Sequence, residues 1–391
     1  MVAPSISTIA LPRILRIGGG ASRQLPELLA TLGLSRPFLV SDAFLEQSGM
    51  LEPILSGLAA AGIAARVFTG TVPDPTSASI DAGLEALRGG EHDCVVGFGG
   101  GSPLDSAKAI AMLAVHGGGM ADYKVPHVQD APGLPIIAIP TTAGTGSEAT
   151  RVCVITDSET DEKMLCGGLA YLPVAALVDH ELTHEKPWRL TADTGIDSLT
   201  HAIEAYVSRR ANPFSDGFAL SSMRLIAPNL RRVCAEPTDA VAREAMMLGA
   251  LQGGIAFSNS SVALVHGMSR PIGAHFHVPH GLSNAMLLPT VTAWSAPAAV
   301  HRYADCARAM GIAAEGEGDQ SAVARLVAEL EALNRDLKVP GPADYGISAQ
   351  RWRDLVPVMC EQAISSGSPA NNPRVPDAGE LAGLYDRVFA A

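Results

Sequence analysis

Between Arg36 and about Leu182, short runs of apolar and β-branched residues alternate with stretches whose apolar positions recur every three or four residues. Residues 37–40, 65–68, 94–97 and 134–140 read as strands, while residues 42–61 and 77–88, the latter with Ile80, Leu84 and Leu87, read as crossover helices. That alternation predicts βα units on a doubly wound parallel sheet. After about Pro187 the strand-like runs nearly vanish. Ala, Leu and Met at helical spacing take over, punctuated by Pro213, Pro228, Pro237, Gly253-Gly254 and Pro271. The break falls at residues 185–188, so we expect an α/β domain over 1–187 and an all-helical domain over 188–391. There is no internal repeat, and residues 313–318 form a Gly/Ala/Glu surface loop.

Composition narrows the class. With 391 residues, 47% hydrophobic and 17% charged, the chain buries a large core in about two ordinary domains. Its 28 Lys and Arg against 40 Asp and Glu give a net charge of −12, which opposes binding to nucleic acid or anionic lipid. The longest apolar stretches, 58–65 and 135–140, fall short of the roughly 18–20 residues that span a bilayer. Residues 1–11 carry no basic group and no secretory pattern, so a cytoplasmic address is expected. The six cysteines are scattered without a C-x-x-C pair, as expected of reduced structural thiols. Residues 6–15 are apolar enough to pair with a neighbouring subunit.

Three polar loops gather at predicted strand ends. Gly99-Gly100-Gly101-Ser102-Pro103 follows one strand and opens a helix expected to begin near Ser102 or Pro103, with Ser102 as its N-cap. Glycines let a ligand approach the backbone, and a helix N-terminus attracts anionic oxygens. The glycines are contiguous, so this is not the G-x-G-x-x-G fingerprint. Asp42 ends the first predicted strand, where a carboxylate can accept hydrogen bonds from a ribose and repel a 2′-phosphate. Residues 139–148 add hydroxyls and glycines at a third strand end. Together these predict a dinucleotide site, for NAD in preference to NADP.

The second half carries metal-ligand chemistry. Asp197 and His201 lie four apart on a predicted helix, about 40° from each other around its axis. Four of the eleven histidines, His266, His275, His277 and His280, then fall within 15 residues. His266 and His280, each followed by glycine, are the expected ligands, whereas His275 and His277 read as neighbours on an extended stretch facing opposite ways. Three imidazoles and a carboxylate suit Fe²⁺ or Zn²⁺ with room for a substrate oxygen.

These motifs resemble the iron-containing alcohol dehydrogenase family, whose architecture is shared with dehydroquinate synthase and glycerol dehydrogenase. The likeness runs from residues 38–42 through 99–105, 140–148, 178–182 and 195–204 to 266–284, and includes 372–374 near the end. It implies an N-terminal α/β dinucleotide-binding domain, a helical metal- and substrate-binding domain and a catalytic divalent ion, Fe²⁺ before Zn²⁺, in a cleft between them. It makes Asp197, His201, His266 and His280 the ligands. It implies that Gly100, Gly101 and Ser102 cradle the pyrophosphate, with Gly99 and Asp105 in the same cofactor-binding stretch. Thr141, Thr142 and Thr145 would line the cofactor cleft and Lys163 would reach the nicotinamide, although Lys163 by itself reads as part of a solvated turn. The implied reaction is hydride transfer between a primary alcohol or aldehyde and NAD(H), in a homodimer or larger homo-oligomer.

One position departs from the pattern. Where many members carry a second histidine four residues after the first ligand of the cluster, this chain has Arg270. An arginine does not shuttle protons near neutrality, but it can fork onto a carboxylate, sulfonate or phosphonate. Arg270 is therefore expected either to hold an anionic substrate tail or to pair with a protein carboxylate. His277 is the alternative proton carrier, or a support for the metal. The competing functions are a hydroxyacid-oxoacid transhydrogenase that retains its nicotinamide, a lyase of the dehydroquinate synthase type, and a non-enzymatic metal-binding protein.

Overall fold

A computed structural model describes residues 6–390. The first five residues of the N-terminal stretch read above, and Ala391, lie outside the described residues. The chain divides into two compact units, Ala10–Lys186 and, with residues 6–9, the chain from Pro187 onward.

The first unit is built on β1 (Ile14–Ile17), β2 (Pro37–Asp42), β3 (Arg66–Thr71), β4 (Cys94–Gly99), β5 (Ile136–Pro140) and β8 (Ala175–Val178), with β6 (Val152–Thr156) and β7 (Lys163–Gly167) in a separate hairpin. The six strands form a parallel sheet in the order β1-β8-β5-β4-β2-β3. Its helices are α1 (Leu25–Leu32), α2 (Ala43–Gln47), α3 (Glu52–Ala60), α4 (Ser77–Arg88) and α5 (Gly101–His116). Strand residues alternate between two cores. Phe38, Val40 and Val95 join Ile80, Leu84 and Ile110 of α4 and α5, while Leu39, Val96 and Ile137 join Leu28, Ile54 and Leu58 of α1 and α3. Both faces are covered, which is why these strands read as continuous apolar runs.

Strand order sets where ligands can bind. The connection after β2 leads outward to β3, whereas the one after β4 leads the opposite way to β5, so the order reverses between β2 and β4. Open α/β sheets bind ligands at the carboxyl ends flanking such a reversal. Asp42 ends one of these strands and Gly99 the other.

Three expectations are corrected here. Residues 42–61 are two helices, α2 and α3, because Gly49 turns the chain between them with φ +77°. The strand ending at Asp42 is the second, preceded by the four-residue β1. Lys163 opens strand β7 and does not sit in a solvated turn.

The second unit is helical: α6 (Trp188–Val207), α7 (Pro213–Ala235), α8 (Ala240–Ser258), α9 (Leu264–Phe276), α10 (His280–Ser295), α11 (Val300–Ala309), α12 (Asp319–Asp336), α13 (Ala349–Ser365) and α14 (Ala378–Ala390). Helix α6 is its centre, packed against α7, α8 and α10 and buried at every residue from Gly195 to Val207. Gly281 lets α10 start against it, since a Cβ there would stand 2.5 Å from the Asp193 carbonyl oxygen. All six cysteines are free and buried. Among the described residues no helix is long and apolar enough to cross a membrane.

Buried charge in the first unit clusters under the loop after β5. Lys108 of α5, wholly buried, donates from Nζ to Ser147 Oγ (2.8 Å), Thr150 Oγ1 (2.9 Å) and the Val152 carbonyl (2.8 Å). Glu148 beside it is 2% exposed, and burial pushes its carboxyl up to about 7 against the opposing pull of Lys108. An unfolded chain releases that proton nearer 4.5, so between those values the folded state holds a proton the unfolded state has lost. Stability therefore falls as pH rises through this window, by up to about 3 kcal/mol. Glu148→Gln is expected to raise the apparent melting temperature by on the order of 2–5 °C at about pH 8 and to change it little at about pH 5. Circular dichroism melts at the two pH values check this, and equal gains at both would refute it.

Candidate functional site

Asp197, His201 and Glu204 recur at i, i+4 and i+7 along α6 and share one face of that buried helix. His266 is the third residue of α9 and His280 the first of α10. The fold brings Asp197, His201, His266 and His280 together, with one donor atom from each all within 4.8 Å of one another. Asp197 Oδ1 stands 3.5 Å from His266 Nε2, 3.7 Å from His280 Nε2 and 3.9 Å from His201 Nε2. The His201 and His266 rings stack at 4.4 Å between centroids. Three of the four side chains are nearly inaccessible, while His280 is 36% exposed, so the group opens on one side.

The side chains of this group are electrostatically coupled. Burial would raise the Asp197 carboxyl, but the imidazoles of His201, His280 and His266 outweigh it and hold it well below the usual carboxylate range. Burial would lower His266, but hydrogen bonds to Asp197 and Glu204 reverse the shift and raise it. Three imidazole nitrogens and a carboxylate oxygen, converging on one point with an open side, fit Fe²⁺ or Zn²⁺.

Two residues that the sequence reading missed support this group. Glu204 Oε2 lies 2.6 Å from His266 Nδ1 and accepts from the backbone N–H of Ala263 at 2.9 Å, while its Oε1 accepts from that of Val265 at 2.6 Å. Asn284, one turn beyond His280 and wholly buried, donates from Nδ2 to Asp197 Oδ1 at 2.6 Å and approaches His266 Nε2 at 3.1 Å. Their spacing was the available signal: Glu204 three residues after His201, Asn284 four after His280.

Arg270 follows His266 by one helical turn on α9 and donates from Nη1 to Ser368 Oγ at 2.8 Å. Among the described residues it forms no salt bridge with a carboxylate, so the expected alternative of a protein carboxylate as its partner is not what the structure contains. Burial lowers its guanidinium to about 10, with Glu204 as the opposing charge. His275 and His277 also differ from expectation, because neither lies on an extended stretch. His275 lies inside α9 with Nε2 2.9 Å from Gln362 Oε1. His277 caps that helix at φ +53°, with its side chain exposed and outside the four-residue group.

In the first unit, the strand ends carry the predicted nucleotide residues. Helix α5 starts at Gly101 with Gly100 as its N-cap, so Ser102 stands inside the first turn and caps nothing. The amides of that turn therefore have no side-chain acceptor. Gly99 has φ +152°, and a Cβ there would meet Pro103 Cγ at 2.5 Å. Asp42 spends Oδ1 on the N–H of Leu45, capping α2 at 2.8 Å. Asp105 is tied internally, accepting from Ser147 Oγ at 2.8 Å and from the Val154 N–H at 2.9 Å. Thr141 is buried with no partner for Oγ1, Thr142 lies beside Gly100, and Thr145 Oγ1 accepts from the Ser147 N–H at 3.2 Å. Lys163 pairs with Asp74 at 2.9 Å.

Residues 12–180 match the family described as iron-containing alcohol dehydrogenase, and residues 191–389 match the Fe-containing alcohol dehydrogenase family, C-terminal. The chain is 40% identical over 390 residues to long-chain-alcohol dehydrogenase 1 of Geobacillus thermodenitrificans (strain NG80-2), covering 99% of this chain and 98% of the relative. It is 35% identical over 374 residues to the NAD-dependent methanol dehydrogenase of Bacillus methanolicus, covering 95% and 97%. A crystal structure of 1,3-propanediol oxidoreductase superposes with a TM-score of 0.94 at 35% identity, over 98% of this chain and all of that one.

Replacing Asp197 or His266 by alanine is expected to weaken divalent-metal binding at least about 100-fold while the protein remains folded. Chelator-competition titration of the metal-stripped protein reads this directly, and parental affinity in both variants would refute the ligand assignment.

Proposed function

The chain belongs to the iron-containing alcohol dehydrogenase family, and from that membership we propose that it interconverts a primary alcohol and its aldehyde with NAD(H), using the four-residue group as its metal centre. The observation that carries this reading is the convergence of Asp197, His201, His266 and His280 within 4.8 Å. These residues would hold the ion, Fe²⁺ in preference to Zn²⁺. A divalent ion there supplies Lewis-acid polarisation of the alcohol or carbonyl oxygen, and nicotinamide accepts or returns the hydride.

The chain's own residues position the reactants. Residues 1–187 serve as the dinucleotide-binding domain and 188–391 as the metal- and substrate-binding domain. Asp42 keeps Oδ2 for a ribose hydroxyl after Oδ1 has capped α2, and its charge disfavours a 2′-phosphate. Gly99, Gly100, Gly101 and Ser102 offer backbone N–H groups to the pyrophosphate, with Asp105 and Lys108 bracing the loop that carries Thr141, Thr142 and Thr145. Lys163, held by Asp74, is assigned to the nicotinamide end. The exposed ring of His277 exchanges the alcohol proton with solvent. The working form is taken to be a cytoplasmic homodimer or larger assembly, as the family resemblance implies.

Arg270 refines the substrate class. A half-buried guanidinium whose hydrogen-bond partner is a serine hydroxyl has donors to spare, and one turn from His266 it can fork onto a carboxylate, sulfonate or phosphonate at the far end of an aldehyde. The relatives favour a second reading, since two are named for methanol and for long-chain alcohols, which are uncharged.

NADH oxidation by metal-stripped protein reloaded with Fe²⁺ or Zn²⁺, assayed on plain aldehydes beside their ω-carboxy, sulfo and phosphono counterparts, separates the two. Activity is expected to need the metal and to favour the anionic members. Arg270→Met is expected to lower kcat/KM for those by about 30-fold, the value of one charge-assisted hydrogen bond of about 2 kcal/mol, and to leave plain aldehydes within about twofold. Preference for plain aldehydes would discard the anionic tail, and no metal-dependent turnover would discard the dehydrogenase.

A further inference from the structure

We propose that Glu204 is a positioning residue that decides which nitrogen of His266 faces the metal. The inference rests on reading Asp197, His201, His266 and His280 as ligands, and extends it to a side chain that does not belong to that set. A neutral imidazole carries one ring proton, so it can offer a metal only the other nitrogen. His266 Nδ1 lies 2.6 Å from Glu204 Oε2, while its Nε2 faces Asp197 Oδ1 at 3.5 Å. A carboxylate can only accept. The proton is therefore held on Nδ1, and Nε2 is left with its lone pair directed at the metal position.

The arrangement is rigid because Glu204 is itself fixed from both sides. It is 3% exposed on the buried helix α6, and its two oxygens accept the N–H groups of Ala263 and Val265 at the start of α9. The N-cap residue of α9, Ala263, has no side-chain acceptor, so a carboxylate from another helix supplies the cap. One side chain thus sets the angle at which α9 leaves α6 and the ring state of the ligand it carries. The negative charge also makes the ring a stronger donor.

The test uses the full chain with Glu204→Met, nearly isosteric and apolar, and Glu204→Gln, which keeps one acceptor oxygen. Cobalt(II) loading is followed by visible ligand-field absorption, and zinc affinity by chelator competition. We expect the methionine variant to bind zinc about 10- to 100-fold more weakly with altered cobalt bands, and the glutamine variant to recover part of the loss. In the zinc-loaded parent protein labelled with ¹⁵N-histidine, the His266 signal, assigned by its loss in His266→Gln, should show a proton on Nδ1 and the metal on Nε2. This second measurement needs no Glu204 variant and so stands even if one fails to fold.

A folded methionine variant with parental zinc affinity and cobalt bands would overturn the proposal and leave Glu204 as a helix cap alone. So would a His266 ring that is metallated at Nδ1 or unprotonated there. Asp197→Ala serves as the control: if it keeps parental cobalt bands, the ligand reading beneath the proposal is what fails.

Discussion

A carboxylate withdrawn from water must be met by donors or by opposite charge, and the two most deeply buried on helix α6, Asp197 and Glu204, stand two turns apart on one face. Much of the second unit is arranged around that demand. Glu204 is satisfied by the first amides of α9 and by His266, which brings α9 in at its N-terminal end. Asp197 is satisfied by Asn284 of α10 and by three imidazoles, which bring in the start of α10. Helices that would otherwise associate through apolar surface alone are thereby placed in one angular setting. The same contacts that satisfy the charges also assemble the four-residue group that could hold a metal ion.

The first unit solves a related problem with a cation. Lys108 is a wholly buried ammonium whose partners are the hydroxyls and carbonyls of residues 147–152, with Asp105 closing the network through Ser147. Breaking one partner would leave the rest desolvated without compensation. The loop after β5 is in consequence part of the core and not a free surface segment.

The legible parts of the sequence were those with strong local signals. β2, β4 and β5 are apolar runs buried on both faces, and α6 carries the three- and four-residue period of Ile196, Leu199 and Ile203. The Asp-x-x-x-His pair and the dense histidines pointed to the group that the fold assembles. β8 was invisible because Ala175-Ala176-Leu177-Val178 is too short and too alanine-rich to stand out from helix. The helical state of His275 could not be read either, because Pro271 and Gly273 inside α9 suggest a broken chain, whereas Pro271 fits within the helix's buried interior. Glu204 and Asn284 stand at helical spacing from His201 and His280, but they escaped notice because what gives them weight lies opposite, His266 of α9 for Glu204 and Asp197 of α6 for Asn284.

Asp42 is bound by two obligations at once. Its Oδ1 closes the first turn of α2 while its position at the end of β2 places the other oxygen beside the strand reversal. On the role proposed for Asp42, a redesign toward a phosphorylated nicotinamide would begin by removing that negative charge, and would remove a helix cap worth about 1 kcal/mol in the same stroke. Serine or asparagine would discharge the site and still cap, whereas alanine would not. The choice of replacement, and not merely the removal of the aspartate, would decide whether a redesigned cofactor preference survives in a stable protein.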